Sequence, residues 1–266
     1  MPFMRSVVIL GAGNVAFHLT RALIQNTVNV RQIFNRTLYK AEELGEANKI
    51  QYTDKISEIE KADLYIIAAS DSAVEELSHY IPYSNTLVVH TSGSLSTKVL
   101  KGNYRKGVFY PFQTFTKRKV LRYEEIPFFV EAENKEDEDA LFKLADRISN
   151  EVHRANSETR LRAHLAGVWV SNFSNHLYYI GESICKEVGL PFDVLRPLIR
   201  ETAQKVAEMS PFDAQTGPAR RNDQIILDKH LEILDDSRLQ QLYQLLSNSI
   251  LRTYQNAQLQ TETKKN

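Results

Sequence analysis

Three groups of residues in this chain have the types and spacing to do chemistry: a glycine turn, an arginine between two small polar residues, and a stripe of neutral hydrogen-bonding side chains. Gly11-Ala12-Gly13-Asn14-Val15-Ala16 follows an apolar run and precedes a helix-compatible stretch. Gly11 permits a tight strand-to-helix turn, Gly13 lets the backbone approach a pyrophosphate, and Ala16 lets the helix pack close to the strand. The helix N-terminus then offers free N–H groups and a positive dipole end to the anion. Such glycine spacings also occur in ordinary tight turns, and it is the strand before and the helix after that point to a dinucleotide. Asn35-Arg36-Thr37 ends the next strand, where a site for an unphosphorylated ribose usually carries an acid. A guanidinium forks onto phosphate oxygens, so these residues predict a 2′-phosphate and hence NADP. The bland alternative is a surface turn whose arginine meets only water.

Ligands of an open parallel sheet lie beyond the carboxyl ends of its strands. That rule adds Ala69-Ser70-Asp71 beneath the adenosine and phosphate portion, and His90-Thr91-Ser92-Gly93 near the nicotinamide. Ser70 and Asp71 are also good helix caps, and the two roles are compatible. His90 has an imidazole suited to acid–base work, although a histidine ending an apolar strand is more often part of the scaffold. At about 100° per residue, His164, Ser171, Asn172, Asn175, Tyr179 and Glu182 share one stripe of a long helix, opposite Trp169, Phe173 and Leu177. A face toward bulk water would be rich in Lys and Glu. This stripe suits a wet cleft that positions a carbonyl, imine or carboxylate; a polar seam against another element is the alternative. Gln113, after Tyr110-Pro111-Phe112, borders the substrate space. Arg220 and Arg221 follow a Gly217-Pro218 turn and can grip an anion, and Asp223 can cap the next helix or orient an arginine. A small anionic substrate is therefore expected. Lys117-Arg118-Lys119 reads as a solvated loop.

The elements that must hold these residues follow from apolar periodicity. Buried strands are predicted at Val7–Leu10, Val28–Phe34, Ala62–Ala69 and Thr86–His90, with further strands at Gly107–Tyr110, Pro127–Glu131 and near Val152. Helices at Val15–Gln25, Leu38–Ala47, Ala73–Tyr80 and Lys135–Ser149 alternate with them. From Ser157 onward only helical periodicity remains. The fold class is therefore α/β: a doubly wound sheet over residues 1–155, then an all-α domain over 156–266 for substrate and dimerisation. Lys plus Arg and Asp plus Glu number 33 each, a zero balance that argues against nucleic acid or an anionic membrane as main partner. Cys185 is the only cysteine, which excludes an intrachain disulfide and a multi-cysteine metal site; no metal is expected. A lone thiol and the lack of an apolar run of membrane-span length suit a reducing, cytoplasmic setting.

Taken together, Gly11-Ala12-Gly13-Asn14-Val15, Asn35-Arg36-Thr37, the Ala69–Asp71 strand end and the helical second half resemble the two-domain NADP-dependent reductases related to pyrroline-5-carboxylate reductase and β-hydroxyacid dehydrogenase. More narrowly, His90-Thr91-Ser92-Gly93, Tyr110-Pro111-Phe112-Gln113, and Thr216-Gly217-Pro218-Ala219-Arg220 with Asp223 and His230 resemble the bacterial Rossmann-like proteins with a helical C-terminal domain of unknown function. That resemblance spans nearly the whole chain. It implies an NADP oxidoreductase, a homodimer paired through the helical domain, and no settled substrate. One departure matters. The β-hydroxyacid dehydrogenases use a lysine and an asparagine one helical turn apart; if Asn172 matches that asparagine, the lysine position holds Val168, which donates no proton. His164, two turns before Asn172, is the expected donor in its place, with Asn172 holding the substrate's polar group. The expected reaction is reduction of a small imine or carbonyl by hydride transfer. A non-catalytic NADP-binding sensor or scaffold is the alternative that the missing lysine favours.

Overall fold

The computed structural model describes Met4 and residues 6–263. The chain divides into two compact units between Leu177 and Tyr178. The first unit is built on eight strands: β1 (Val7–Leu10), β2 (Val30–Phe34), β3 (Gln51–Thr53), β4 (Leu64–Ile67), β5 (Leu87–His90), β6 (Arg105–Pro111), β7 (Phe128–Ala132) and β8 (Val152–Arg154). Helices α1 (Asn14–Gln25), α2 (Leu38–Asn48), α3 (Asp71–Ser78) and α4 (Lys135–Asp146) connect them. The strand order is β3-β2-β1-β4-β5-β6-β7-β8, the doubly wound arrangement expected from alternating strands and helices. All neighbouring strands run parallel except β6 and β7, which are antiparallel.

Strand β1 is fully buried, and its side chains divide between the two faces with the period of two that a strand imposes. Val7 and Ile9 pack with Leu19, Leu23 and Ile33 on one face, Val8 and Leu10 with Phe34, Tyr65 and Leu77 on the other. Register then sets the site. Leu10 pairs with both Phe34 and Ile67, and Ile67 pairs with His90. The carboxyl ends of β2, β1, β4 and β5 therefore finish level, and the turns that follow them share one edge of the sheet.

A long helical run begins with α5 (Ser157–Gly167), continues as a π-helical stretch over Val168–Phe173, and passes into α6 (Ser174–Glu187). The change from strands to helices thus falls at Ser157, whereas the compact division falls inside α6. The reason is an anchor. Arg160 on α5 is fully buried, pairs with Glu131 of β7 and donates to the carbonyl of Leu95, so the first half of the long helix belongs with the sheet.

The second unit comprises the rest of α6, α7 (Arg196–Glu208), α8 (Pro211–Ala214), α9 (Pro218–Arg221), α10 (Gln224–Glu232) and α11 (Ser237–Thr263). Residues 211–222 hold two short helical turns, each started by a proline. Among the described residues of this unit, Ala219 and Leu227 are the buried apolar ones. No helix among the described residues is long and apolar enough to cross a membrane.

Candidate functional site

The glycine turn lies between Leu10 and α1. Gly11 adopts φ +127°, and a Cβ there would stand 2.1 Å from the Ala68 carbonyl oxygen, so the β1 and β4 ends approach as only glycine allows. A Cβ on Gly13 would meet nothing within 4 Å; its missing side chain leaves open space over the turn. Helix α1 has Gly13 as its N-cap, with no side-chain cap and no acid in its first turn. Its first N–H groups are therefore available to an anion. A cavity of about 710 Å³ opens here, lined by Gly11, Ala12, Gly13, Asn14, Val15, Asn35, Arg36, Ala69 and Ser70. Those nine come from three strand ends, as expected.

Four residues expected around the cofactor, Thr37, Asp71, Thr91 and Ser92, are not among the lining. Thr37 precedes α2, and its carbonyl accepts from Asn35 Nδ2. Asp71 accepts from Ser94 Oγ and so ties the β4 end to the β5 end. Thr91 and Ser92 are buried, with Ser92 Oγ accepting from the N–H groups of Ser94 and Leu95 at 3.1 Å. Thr91 and Ser92 stabilise the edge from within, and the exposed Asp71 does so from its surface.

Other residues contribute that the sequence did not single out. Tyr39, Lys40, Glu43 and Lys117 line the same cavity, so Lys117 is no ordinary solvated loop residue. Its loop is held down by the buried His18 of α1, whose Nε2 lies 2.9 Å from the Thr116 carbonyl oxygen and whose Nδ1 lies 3.1 Å from Tyr123 Oη. Lys117 pairs with Glu43 at 3.0 Å and Arg36 with Glu76 at 2.6 Å. The Tyr80 hydroxyl and the Arg36 guanidinium hold the Glu76 carboxyl below the usual carboxylate range. Three cations, Arg36, Lys40 and Lys117, thus surround the wall where the sequence places a 2′-phosphate.

A second cavity, about 340 Å³, is lined by Tyr110, Phe112, Gln113, Thr114, His164, Gly167, Val168, Val170, Ser171 and Asn172. It unites four residues expected at the substrate, His164, Asn172, Gln113 and Ser171, although they come from a loop and a helix far apart in sequence. The β5 end reaches this group too: a Cβ on Gly93 would stand 2.7 Å from His164 Nδ1 and 2.8 Å from Tyr110 Cζ. The helical wall is broad: at about 100° per residue Val170 lies roughly 120° from His164, and both line the cavity. Asn175 and Tyr179, expected in the same stripe, are not among the lining. Over Val168–Phe173 the i→i+5 turn advances each residue by a smaller angle than an α-helix does, which rotates the residues after it out of a stripe drawn at about 100°.

His90 is placed elsewhere. It is fully buried in the sheet and lines neither cavity. Burial, with the nearby Arg160 charge, lowers its pKa to about 4. Its Nδ1 accepts from the Ser92 N–H at 3.1 Å, leaving the proton of the neutral ring on Nε2. His90 is a neutral scaffold residue at pH 7. Arg220 donates to the Gln215 carbonyl, and its guanidinium lies 4.6 Å from the Tyr254 ring centroid. Asp223 caps α10 by accepting from the Ile226 N–H at 3.4 Å, and His230 Nδ1 lies 2.7 Å from Tyr243 Oη. Among the described residues no group of three or more His, Cys, Asp or Glu could hold a metal ion.

A doubly wound sheet with a glycine cradle at its level strand ends is the framework of NAD(P)-binding Rossmann proteins. Comparison with known proteins agrees. Residues 3–81 match the shikimate/quinate 5-dehydrogenase model, and residues 126–250 match a domain of unknown function, DUF2520. The chain is 42% identical to a candidate NADP oxidoreductase from Bacteroides fragilis, with 93% of this chain and 98% of that one covered and a TM-score of 0.87. A protein from Thermotoga maritima is 20% identical over 95% of this chain and 99% of that one, with a TM-score of 0.75. A pyrroline-5-carboxylate reductase from Coxiella burnetii is 16% identical over 95% and 98%, with a TM-score of 0.56; these last two likenesses show the fold. No curated protein matches the chain. The chain belongs to the family of NAD(P)-binding oxidoreductases that join a Rossmann sheet to a DUF2520 domain.

Proposed function

We propose that this chain is an NADP-dependent reductase of a small imine or carbonyl compound, with the 340 Å³ cavity as its substrate site. One observation carries the reading: His164, Asn172 and Gln113 line a single cavity, and His164 packs directly on Gly93 at the β5 end, the edge where an open sheet presents its ligands. NADPH, when bound, supplies the hydride. The chain supplies the rest. The Asn172 carboxamide holds the substrate's oxygen or nitrogen, His164 gives that atom a proton, and Phe112, Val168 and Val170 restrict water. A protonated imine needs less help than a ketone, which suits a site lacking the lysine of the hydroxyacid dehydrogenases. The cavity is lined by no lysine or arginine, so an anionic substrate group would draw its cation from outside that lining.

Oxidation of NADPH against a panel of imino acids, keto acids and their uncharged analogues tests this. Turnover of an imine or ketone is the expected result. Tight NADPH binding with no turnover across the panel would favour the second reading, a non-catalytic NADP-binding sensor, for which Val168 in the cavity wall is the supporting observation.

Preference for NADP over NAD rests on Arg36, with Lys40 and Lys117 beside it. In Arg36→Asp the clamp is lost and a negative charge faces the 2′-phosphate. A charge-assisted hydrogen bond contributes about 1.5–3 kcal/mol, so NADP affinity is expected to fall at least tenfold while NAD affinity changes little. Calorimetric titration with both cofactors checks this; equal losses would show that Arg36 does not read the phosphate.

The partner we propose is a second copy of the chain, joined through the helices. Val188, Leu198, Ile225, Ile233 and Leu245 are each between 63% and 72% exposed, while Ala219 and Leu227 are the apolar residues that the described second unit buries. Amphipathic helices need a surface against which to bury their apolar faces, and an apolar, self-complementary interface would provide it. Sedimentation at micromolar concentration is expected to give a dimer; a clean monomer would overturn this. A reducing cytoplasmic setting accords with the single thiol of Cys185.

A further inference from the structure

Tyr110 was not singled out for a chemical role by its sequence context, and the structure gives it one. It lies on β6, and its hydroxyl oxygen is 3.0 Å from His164 Nδ1. The phenol is fixed from several sides. Its ring stacks against Phe129 at 6.2 Å between centroids and meets Phe112 edge-on at 6.0 Å. Gly93 lies so close that one added methyl would stand 2.7 Å from Nδ1 and 2.8 Å from Tyr110 Cζ. The pair is therefore held by β5, β6 and α5 together, and both partners line the 340 Å³ cavity.

We propose that Tyr110 is the positioning residue for His164: it holds Nδ1 by a hydrogen bond, so that Nε2 is the atom that exchanges a proton with the substrate. This rests on the reductase reading for its chemical consequence, but the hydrogen bond and the tautomer it selects do not. The proton balance is as follows. In the imidazolium, Nδ1–H donates to the phenol oxygen and Nε2–H donates to the substrate's oxygen or nitrogen. Hydride arrives at the substrate carbon, the C=O or C=N π pair goes to the heteroatom, and the Nε2 proton passes to that atom. The imidazole left behind keeps its Nδ1 proton on Tyr110, and water restores the proton at Nε2. The ring need not turn at any step. Burial pushes the phenol up to about 12, with the Arg160 charge opposing that rise and the Asp71 charge adding to it. The phenol therefore stays neutral, and with the proton on His164 Nδ1 its oxygen is the acceptor. A neutral acceptor orients the ring without adding a charge beside the substrate.

Which nitrogen carries the proton is set by the hydrogen bond the other makes, and it is read directly by ¹⁵N NMR of the full chain with labelled histidine. The His164 signals are assigned by their loss in His164→Gln. In the wild type, neutral His164 is expected as the Nδ1–H tautomer. In Tyr110→Phe, which keeps the aromatic packing, it is expected to shift toward a mixture with the Nε2–H tautomer. A Tyr110→Phe spectrum in which His164 is unchanged, or a wild type already in the Nε2–H form, would overturn the proposal. Gly93→Ala provides a second variant, with the hydroxyl intact and the pair pushed apart, and is expected to give the same change. These readings need no substrate, so they stand or fall apart from the reductase reading. On a substrate that turns over, Tyr110→Phe is expected to lower kcat at least tenfold with KM within about twofold; a loss confined to KM would make Tyr110 a mere wall of the cavity.

Discussion

Replacing Arg160 with leucine is expected to lower the stability of the chain by about 3 kcal/mol, the lower end of the ~3–5 kcal/mol that follows when one partner of a buried ion pair is removed. The guanidinium is fully buried and pairs with Glu131, whose side chain is 18% exposed. Without Arg160 the carboxylate keeps the Ser157 hydroxyl, which donates to its two oxygens at 3.1 and 3.2 Å, and some water; hence the lower end. The Leu95 carbonyl loses its guanidinium partner as well. Against a typical total of about 5–15 kcal/mol, that is a large fraction. Trp169, the only tryptophan, lies on the π-helical stretch nine residues beyond Arg160, so its emission in urea reports the change. A midpoint equal to that of the wild type would refute the anchor role. The double variant Arg160→Leu/Glu131→Met is expected to be less destabilised than Arg160→Leu, because neither charge is then left buried alone.

The parts of this fold that are legible in the sequence are those that local rules determine. Ala62–Ala69 reads as a buried strand because a strand covered on both faces is apolar throughout, and Leu64–Ile67 within it is fully buried. The glycine turn is legible because Gly11 needs its positive φ and Gly13 its open space. Strand direction is another matter. Phe128–Ala132 has the same apolar pattern whichever way it runs, and its antiparallel pairing with β6 comes from how the 112–127 loop returns. That loop also explains why Lys117 could not be foreseen in the candidate cofactor cavity: His18, far away in sequence, pins Thr116 beside it.

The candidate substrate site shows the same division. His164 and Asn172 were legible as neutral polar residues on one helix, but the stripe was drawn at a constant 100° per residue. The π-helical turn over Val168–Phe173 breaks that constancy, and Asn175 falls outside the lining. No residue in the stretch is a glycine or proline that would announce the change. For His90, sequence supplies the imidazole but not its complete burial, and burial is what removes it from acid–base work.

Asn172→Ala is expected to lower turnover at least a hundredfold while NADPH affinity stays within about twofold. The carboxamide is a neutral group of the cavity wall, two helical turns beyond His164, and it can both donate to and accept from a substrate heteroatom. A fixed donor aimed at a heteroatom that gains negative character in the transition state contributes about 10²–10³ in kcat when the site excludes water. The candidate cofactor cavity has no share in Asn172, so the loss is expected in the substrate step alone. Steady-state rates with the compound that the wild type reduces, together with NADPH titration of both proteins, separate the two effects. Parallel losses in rate and NADPH affinity would mean that Asn172 supports the cofactor or the fold. A structure with bound cofactor placing Asn172 more than roughly 10 Å from the nicotinamide, beyond hydrogen-bonding reach of the reacting atoms, would remove it from the chemistry altogether.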